Sequence, residues 1–125
     1  MGLITKKLKV MGDKGEREVN CLFDTGASDS FIRRDIQEEI ATPSLLREPK
    51  VFSLGDGKGR LEVDKIAFLD ILLPEGKIFD HFAIAPSLQE EIIIGARTMQ
   101  IYRIKLNLEQ EDIIVDKKAL ELKLV

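Results

Sequence analysis

Apolar and polar residues alternate along most of this chain with a period of two, the spacing of a strand with one buried face rather than of a helix. Leu8 and Val10 alternate with Lys7 and Lys9, and Gly12-Asp13-Lys14-Gly15 brings turn chemistry. Glu18-Val19-Asn20-Cys21-Leu22-Phe23 returns as the second arm of a hairpin. A further strand is predicted to begin near Lys50 and run to Leu54, with an interruption at Gly55-Asp56-Gly57-Lys58-Gly59. Leu61 to Leu73 resumes as a long strand, with Val63, Ile66, Phe68 and Ile71 among polar neighbours. Pro74-Glu75-Gly76-Lys77 reads as a turn, Ile78 to Ala85 as a strand and Ile92-Ile93-Ile94 as a short buried one. Ile104 to Leu108 and Ile113 to Val115 flank an acidic turn, and Leu120 to Leu124 alternates again. Helical spacing occurs only at Arg33 to Ile40 and at Ala96 to Tyr102, after Gly95. Many short strands with little helix predict an all-β barrel or sandwich. No linker, low-complexity stretch or second copy of a long motif interrupts residues 1–125, which read as one domain.

Composition sharpens this without changing it. A chain of 125 residues, 44% apolar and 33% charged, is long enough for its own core and is neither disordered nor fibrous in character. The net charge is −3 with both signs interleaved, so no basic stripe supports a nucleic-acid partner. Cys21 is the single cysteine, which rules out a disulfide within the chain and favours a reducing compartment. No apolar run approaches the roughly 18 residues a spanning helix needs. Met1-Gly2-Leu3-Ile4-Thr5-Lys6-Lys7 lacks the basic-then-apolar order of a secretory signal, and Lys6 stands where an acylated Gly2 requires Ser or Thr. A cytoplasmic protein without membrane attachment is expected.

The candidate chemistry centres on Asp24. An apolar strand, Cys21-Leu22-Phe23, delivers this carboxylate to a turn of small residues, Thr25-Gly26-Ala27-Ser28, before Phe31-Ile32 resumes apolar character. Gly26 permits a tight turn and close approach of another chain. A carboxylate at the edge of a core is where burial and neighbours tune proton affinity. The plain alternative is that Asp24 only caps a turn, as Asp often does. Other candidates carry less. A phosphate-cradling reading of Gly55 to Gly59 needs a helix directly after the loop, and Leu61-Glu62-Val63 alternates as a strand. His81, the only histidine, has no His or Cys partner at metal-ligand spacing and no Gly-x-Ser-x-Gly nucleophile to serve, so it reads as a strand residue. Cys21 reads as a small apolar filler and Lys117-Lys118 as a solvated turn. No metal or other cofactor is expected.

Cys21-Leu22-Phe23-Asp24-Thr25-Gly26-Ala27-Ser28 resembles the active-site motif of the retropepsins, the retroviral-type aspartic peptidases, in which apolar residues precede Asp-Thr/Ser-Gly-Ala/Ser. A second family signature, two apolar residues and a Gly opening a short helix, is matched in order and spacing by Ile93-Ile94-Gly95 before Ala96-Arg97. Between the two lies a hairpin over about residues 51–66, where the family has its flap. The resemblance implies an all-β, retropepsin-like half-barrel with one or two short helices, closed as a homodimer. It implies that Asp24 is catalytic, supported by Thr25, Gly26 and Ala27. Thr25 would bond the partner's backbone beneath the aspartates, and Gly95 would let the Ile93-Ile94 strand pass close to the Asp24 loop. Ser28, Asp29, Gly55, Asp56, Gly57, Ile93 and Ile94 would contact a peptide or protein substrate. The terminal strands, Met1 to Val10 and Ala119 to Val125, would join a sheet between subunits, or else be edge strands of the monomer.

Two features depart from the viral pattern. The flap tip is charged, with Asp56, Lys58 and Arg60, and the position after Gly95, usually Arg, is Ala96. Arg97 stands one step on, and its reach to Asp29 is left open.

Amide hydrolysis by this route takes one ionised carboxyl as general base and one protonated carboxyl as acid. The chain has one Asp-Thr-Gly; Asp13 and Asp56 lie in Gly-Asp turns without an apolar approach strand. The second carboxyl would therefore come from a second copy of the chain across a two-fold axis. Two other outcomes stay open: a peptide-binding dimer with little or no turnover, and a monomeric β-barrel binding module.

Overall fold

The computed structural model describes residues 2–53 and 59–121. Leu3–Met11 (β1) and Glu16–Asp24 (β2) form the first hairpin, in register from Leu3↔Asp24 to Met11↔Glu16. Its turn is drawn tight by Gly12 N–H donating to the Gly15 carbonyl at 2.9 Å. A side chain at Gly12 would collide with the Ile40 carbonyl oxygen, 2.3 Å from an ideal Cβ, so only glycine lets this turn dock on the next helix. Phe31–Arg33 (β3) leads into Arg34–Ile40 (α1), whose Ile36 and Ile40 are buried. Ser44–Ser53 (β4) and Arg60–Leu73 (β5) are the two arms of a long hairpin, and Gly76–Ala85 (β6) folds back on β5. Ile92–Ile94 (β7) runs into Ala96–Ile101 (α2), and Lys105–Asn107 (β8) pairs with Asp112–Ile114 (β9).

The strand order is β1-β2-β7-β3-β6-β5-β4, and pairing of Val10 and Met11 with Ile71 and Asp70 closes six of these strands into a barrel. β4 pairs only with β5 and extends beyond the barrel. Alternation delivers the core: Val10, Val19, Phe23, Leu69, Ile71, Ile78, Phe82, Ile92 and Ile94 are fully buried, and Ile32, Ile36 and Ile40 seal the α1 side. Burying each side chain of this size contributes about 1.5–3 kcal/mol, so the closed barrel rather than any single strand carries stability. A smaller cluster of Phe31, Val63 and Ala83 lies outside it, with Leu46, Phe52, Leu61, Leu88 and Ile93 packed around it. There Phe31 meets Phe52 edge-to-face at 5.0 Å, which ties the β4–β5 hairpin to the body.

Three elements differ from the periodicity. β4 starts at Ser44, not near Lys50, and has a register shift between Leu45 and Lys50 around Pro49. An edge strand tolerates proline at a bulge because one ladder side is unpaired, and its mostly exposed residues leave no apolar alternation to read. In β5 the buried positions are Val63, Ala67, Leu69, Ile71 and Leu73, while Phe68 points outward and stacks on Phe79 at 6.1 Å. At the other end, Lys117–Leu120 is a 3-10 turn and not the start of a strand. Its Leu120 is buried against Gly76, where local packing overrides the alternation of Leu120 to Leu124. Residues 122–125 lie outside the described part.

Candidate active site

Asp24 is the last residue of β2, a strand held on one side by β1 and on the other by β7, which runs parallel to it with Phe23 opposite Ile94. β7 in turn pairs antiparallel with β3, so the chain segments before and after the Asp24 loop are both clamped to one central strand. The buried Cys21 and Phe23 anchor the approach, and Asp24 itself is half-buried. Its Oδ1 accepts the Gly26 N–H at 2.8 Å, and its carbonyl accepts the Ala27 N–H at 3.2 Å. The turn thus fixes the carboxyl while Thr25 and Gly26 remain exposed at the molecular surface.

The loop is held from beneath by the β7–α2 junction. Ala96 N–H donates to the Ala27 carbonyl at 2.7 Å and Arg97 N–H to the Ser28 carbonyl at 3.1 Å. An ideal Cβ on Gly95 would lie 2.2 Å from the Asp29 carbonyl oxygen and 2.8 Å from that of Ala27. Only glycine admits this crossing. The sequence expectation for Gly95 describes this geometry.

Arg97 does reach Asp29: its guanidinium lies 3.1 Å from Asp29 Oδ1. The one-residue offset from Gly95 is absorbed because α2 begins at Ala96 and its first turn faces the loop. Beside this pair runs a buried chain of donors that sequence reasoning missed. Gly95 N–H donates to Ser30 Oγ at 3.0 Å, Ser30 Oγ meets Thr98 Oγ1 at 2.6 Å, and Thr98 Oγ1 donates to Asp80 Oδ2 at 2.7 Å. Ser30 therefore donates to Thr98, and the relay ends on a carboxylate, where hydrogen bonds are strongest. The His81 N–H donates to Asp80 Oδ1 at 2.8 Å, and its imidazole Nδ1 lies 3.3 Å from the same oxygen. Ser30, Asp80 and Thr98 are far apart in sequence and their residue types are commonplace, so no local signal marks them.

Thr25 is engaged within its own chain. In the single chain its hydroxyl accepts the Gly2 N–H at 2.9 Å, and its own N–H donates to the Gly2 carbonyl at 3.2 Å. The cause is register: because Leu3 pairs with Asp24, the ladder places Gly2 beside Thr25. β1 is likewise a strand of the monomer's own barrel.

Of the residues expected to contact substrate, Asp29 lines a cavity of about 480 Å³ between the loop and the β4–β5 hairpin. Lys50, Val51, Phe52 and Val63 from the hairpin, His81 from β6 and Arg97 and Thr98 from α2 share its walls. Ile93 is half-buried in the small cluster beneath that hairpin. Ile94 has no exposed surface and packs in the barrel core, so its part is packing rather than contact. Ser28 is exposed on the loop. Gly55, Asp56 and Gly57 lie outside the described residues. Cys21 is a buried filler whose thiol is pushed up to about 12, chiefly by burial and secondarily by the Glu91 charge. Among the described residues no cluster of three or more His, Cys, Asp or Glu could hold a metal ion, and no helix is long and apolar enough to cross a membrane.

The six-stranded closure, the single central strand beneath the loop and the projecting hairpin define a retropepsin-like fold. The chain is similar to the retroviral protease-like domain of Ddi1 from Leishmania major, with 18% identity, a TM-score of 0.63, and coverage of 93% of this chain and 90% of that one. It is also similar to EIAV protease complexed with the inhibitor HBY-793, with 18% identity, a TM-score of 0.59, and coverage of 86% and 94% respectively. No family model and no curated protein matches the sequence.

Proposed function

We propose that this protein is a homodimeric aspartic endopeptidase in which Asp24 and its symmetry mate activate a water against the scissile carbonyl of a peptide. The observation that carries the reading is Asp24 itself: one half-buried carboxyl at the end of β2, fixed by the Gly26 N–H on a loop that Gly95 crosses. The nearest loop carboxylate, Asp29, is paired with Arg97 and belongs to the loop's scaffold. Two carboxyls brought about 3 Å apart cannot both ionise, so they share one proton and supply base and acid together. Thr25 and Gly26, exposed beside Asp24, are the surface on which a second copy would bring its own Asp24. Isologous contact makes each loop complete the other. The β4–β5 hairpin would close over the bound peptide and exclude water.

The test is Asp24→Asn, assayed on a peptide library with sedimentation in parallel. The variant should keep its fold and its dimer and lose cleavage; cleavage persisting in Asp24→Asn sinks the assignment. The second reading, a peptide-binding dimer with little turnover, is motivated by the charged flap tip of the sequence, with Asp56, Lys58 and Arg60. Pepstatin-inhibited cleavage by the wild-type protein would exclude this second reading.

A further inference from the structure

We infer that the cavity between the β4–β5 hairpin and the Asp29 loop takes a long acidic or amide side chain of the substrate, Glu or Gln, and that Lys50 selects it. This rests on the peptidase reading and names a substrate preference for the same site. The walls contributed by Leu46, Val51, Phe52 and Val63 are apolar and suit a methylene stem, while Asp29, Lys50, Asp80 and Arg97 bring charge to the rest of the lining. What decides the preferred head group is which charges are already committed. Asp29 is engaged by Arg97. Asp80 accepts from Thr98 at Oδ2 and from the His81 N–H at Oδ1. Both carboxylates of the cavity therefore already have a partner within the fold. Lys50 is exposed on the edge strand β4 and lines the same cavity, and its ammonium has neither hydrogen bond nor ion pair among the described residues.

A bound Glu or Gln offers an acceptor to that ammonium. A bound Lys or Arg would instead face the unpaired ammonium of Lys50, with the two carboxylates already partnered. Formal charge alone does not discriminate, because Lys50 and Arg97 balance Asp29 and Asp80; the pairing pattern does. Lys50 also lies on the hairpin that packs on the body through Phe52 and Phe31. An electrostatic contact there would therefore be made as the hairpin settles on the peptide.

The experiment uses an octapeptide library in which every position is varied over all twenty residues. The wild-type protein is incubated with it and products are read by mass spectrometry. In parallel, tight binders are selected from the same library on full-length Asp24→Asn protein. In both arms Glu and Gln should be enriched over Lys and Arg at one position. In Lys50→Glu the Glu-to-Lys preference at that position should fall roughly tenfold, the sum of several exposed charge contacts. An unchanged preference in Lys50→Glu, enrichment of Leu or Phe there instead, or selection of no peptide at all overturns the inference. If the wild type cleaves nothing, the peptidase reading fails, while the selection on Asp24→Asn still decides the preference of the cavity.

Discussion

Replacing Gly95 by Ala adds one methyl group at the place where the β7–α2 junction crosses the Asp24 loop. An ideal Cβ there stands 2.2 Å from the Asp29 carbonyl oxygen, 2.7 Å from its carbonyl carbon and 2.8 Å from the Ala27 carbonyl oxygen, whereas ordinary contact begins at 3.4 Å. All three atoms are backbone, so no side chain can swing aside and the loop must retreat by about 1 Å. Overpacking of this kind costs about 1–3 kcal/mol. The retreat also stretches the Ala96→Ala27 bond of 2.7 Å and the Arg97→Ser28 bond of 3.1 Å. Each contributes about 1 kcal/mol, so the total is about 3–5 kcal/mol. For a domain of this size that lowers Tm by about 10–25 °C. Misplacing Asp24 by about 1 Å should also lower kcat/KM on the order of 100-fold. Circular dichroism melting measures the first effect and peptide cleavage the second. Gly15→Ala is the control, since the nearest atom to its Cβ is the Glu39 carbonyl oxygen at 3.8 Å, and its Tm should stay within about 3 °C of the parent. A Gly95→Ala protein that melts as closely to the parent as Gly15→Ala does would refute the claim that this crossing holds the loop.

Thr98→Val keeps the volume of a buried side chain but deprives Asp80 Oδ2 of its donor and Ser30 of its acceptor. It should cost about 2–3 kcal/mol in urea unfolding, and less than additively with Ser30→Ala because both belong to one network. The Arg97–Asp29 pair is partly solvated, with Arg97 61% and Asp29 23% exposed. Arg97→Gln should therefore cost only about 0.2–1 kcal/mol of stability. Its larger effect should be a raised KM for peptides, and an unchanged KM would remove the pair from substrate binding. The Cys21 thiol is raised from 9.0 to about 12 in the folded chain, so the unfolded chain ionises first. Its contribution to stability is fully present below pH 9 and is lost between 9 and about 12 as the unfolded state sheds its proton. The loss is about 1.4 kcal/mol per pH unit in that window, and it should be missing from Cys21→Ala, as parallel urea titrations at pH 8 and 10 would reveal.

The strand content and the position of Asp24 at a strand end were legible in the residues because each is local. Alternation of Leu8 with Val10 and of Val19, Cys21 and Phe23 reports which face a strand buries, and that face is buried here. Gly95 and Ile93-Ile94 were implied by the resemblance to a family signature, and the structure gives the reason: only a glycine fits where two backbones touch. The first half of β4, from Ser44 to Pro49, was not legible, because an exposed edge strand has no buried face to imprint a period. In β5 apolar character alone did not mark the inward face: Phe68 is apolar, yet its partner is Phe79 on the outer surface rather than the core.

What lay beyond the linear chain was every relation between distant segments. The reach of Arg97 to Asp29 depends on where the first turn of α2 points. The engagement of Thr25 by Gly2 depends on the β1–β2 register. The Ser30–Thr98–Asp80 relay exists only because β7 lies between β2 and β3 and carries α2 against β6. The sequence by itself determined which residues prefer to be buried and where the backbone can turn, since those are properties of single residues and their neighbours. The closure of six strands into a barrel, and with it the commitment of each charge around Asp24, was decided by tertiary structure. Hydrogen bonds and ion pairs are set by distance in space, and chain separation does not encode it.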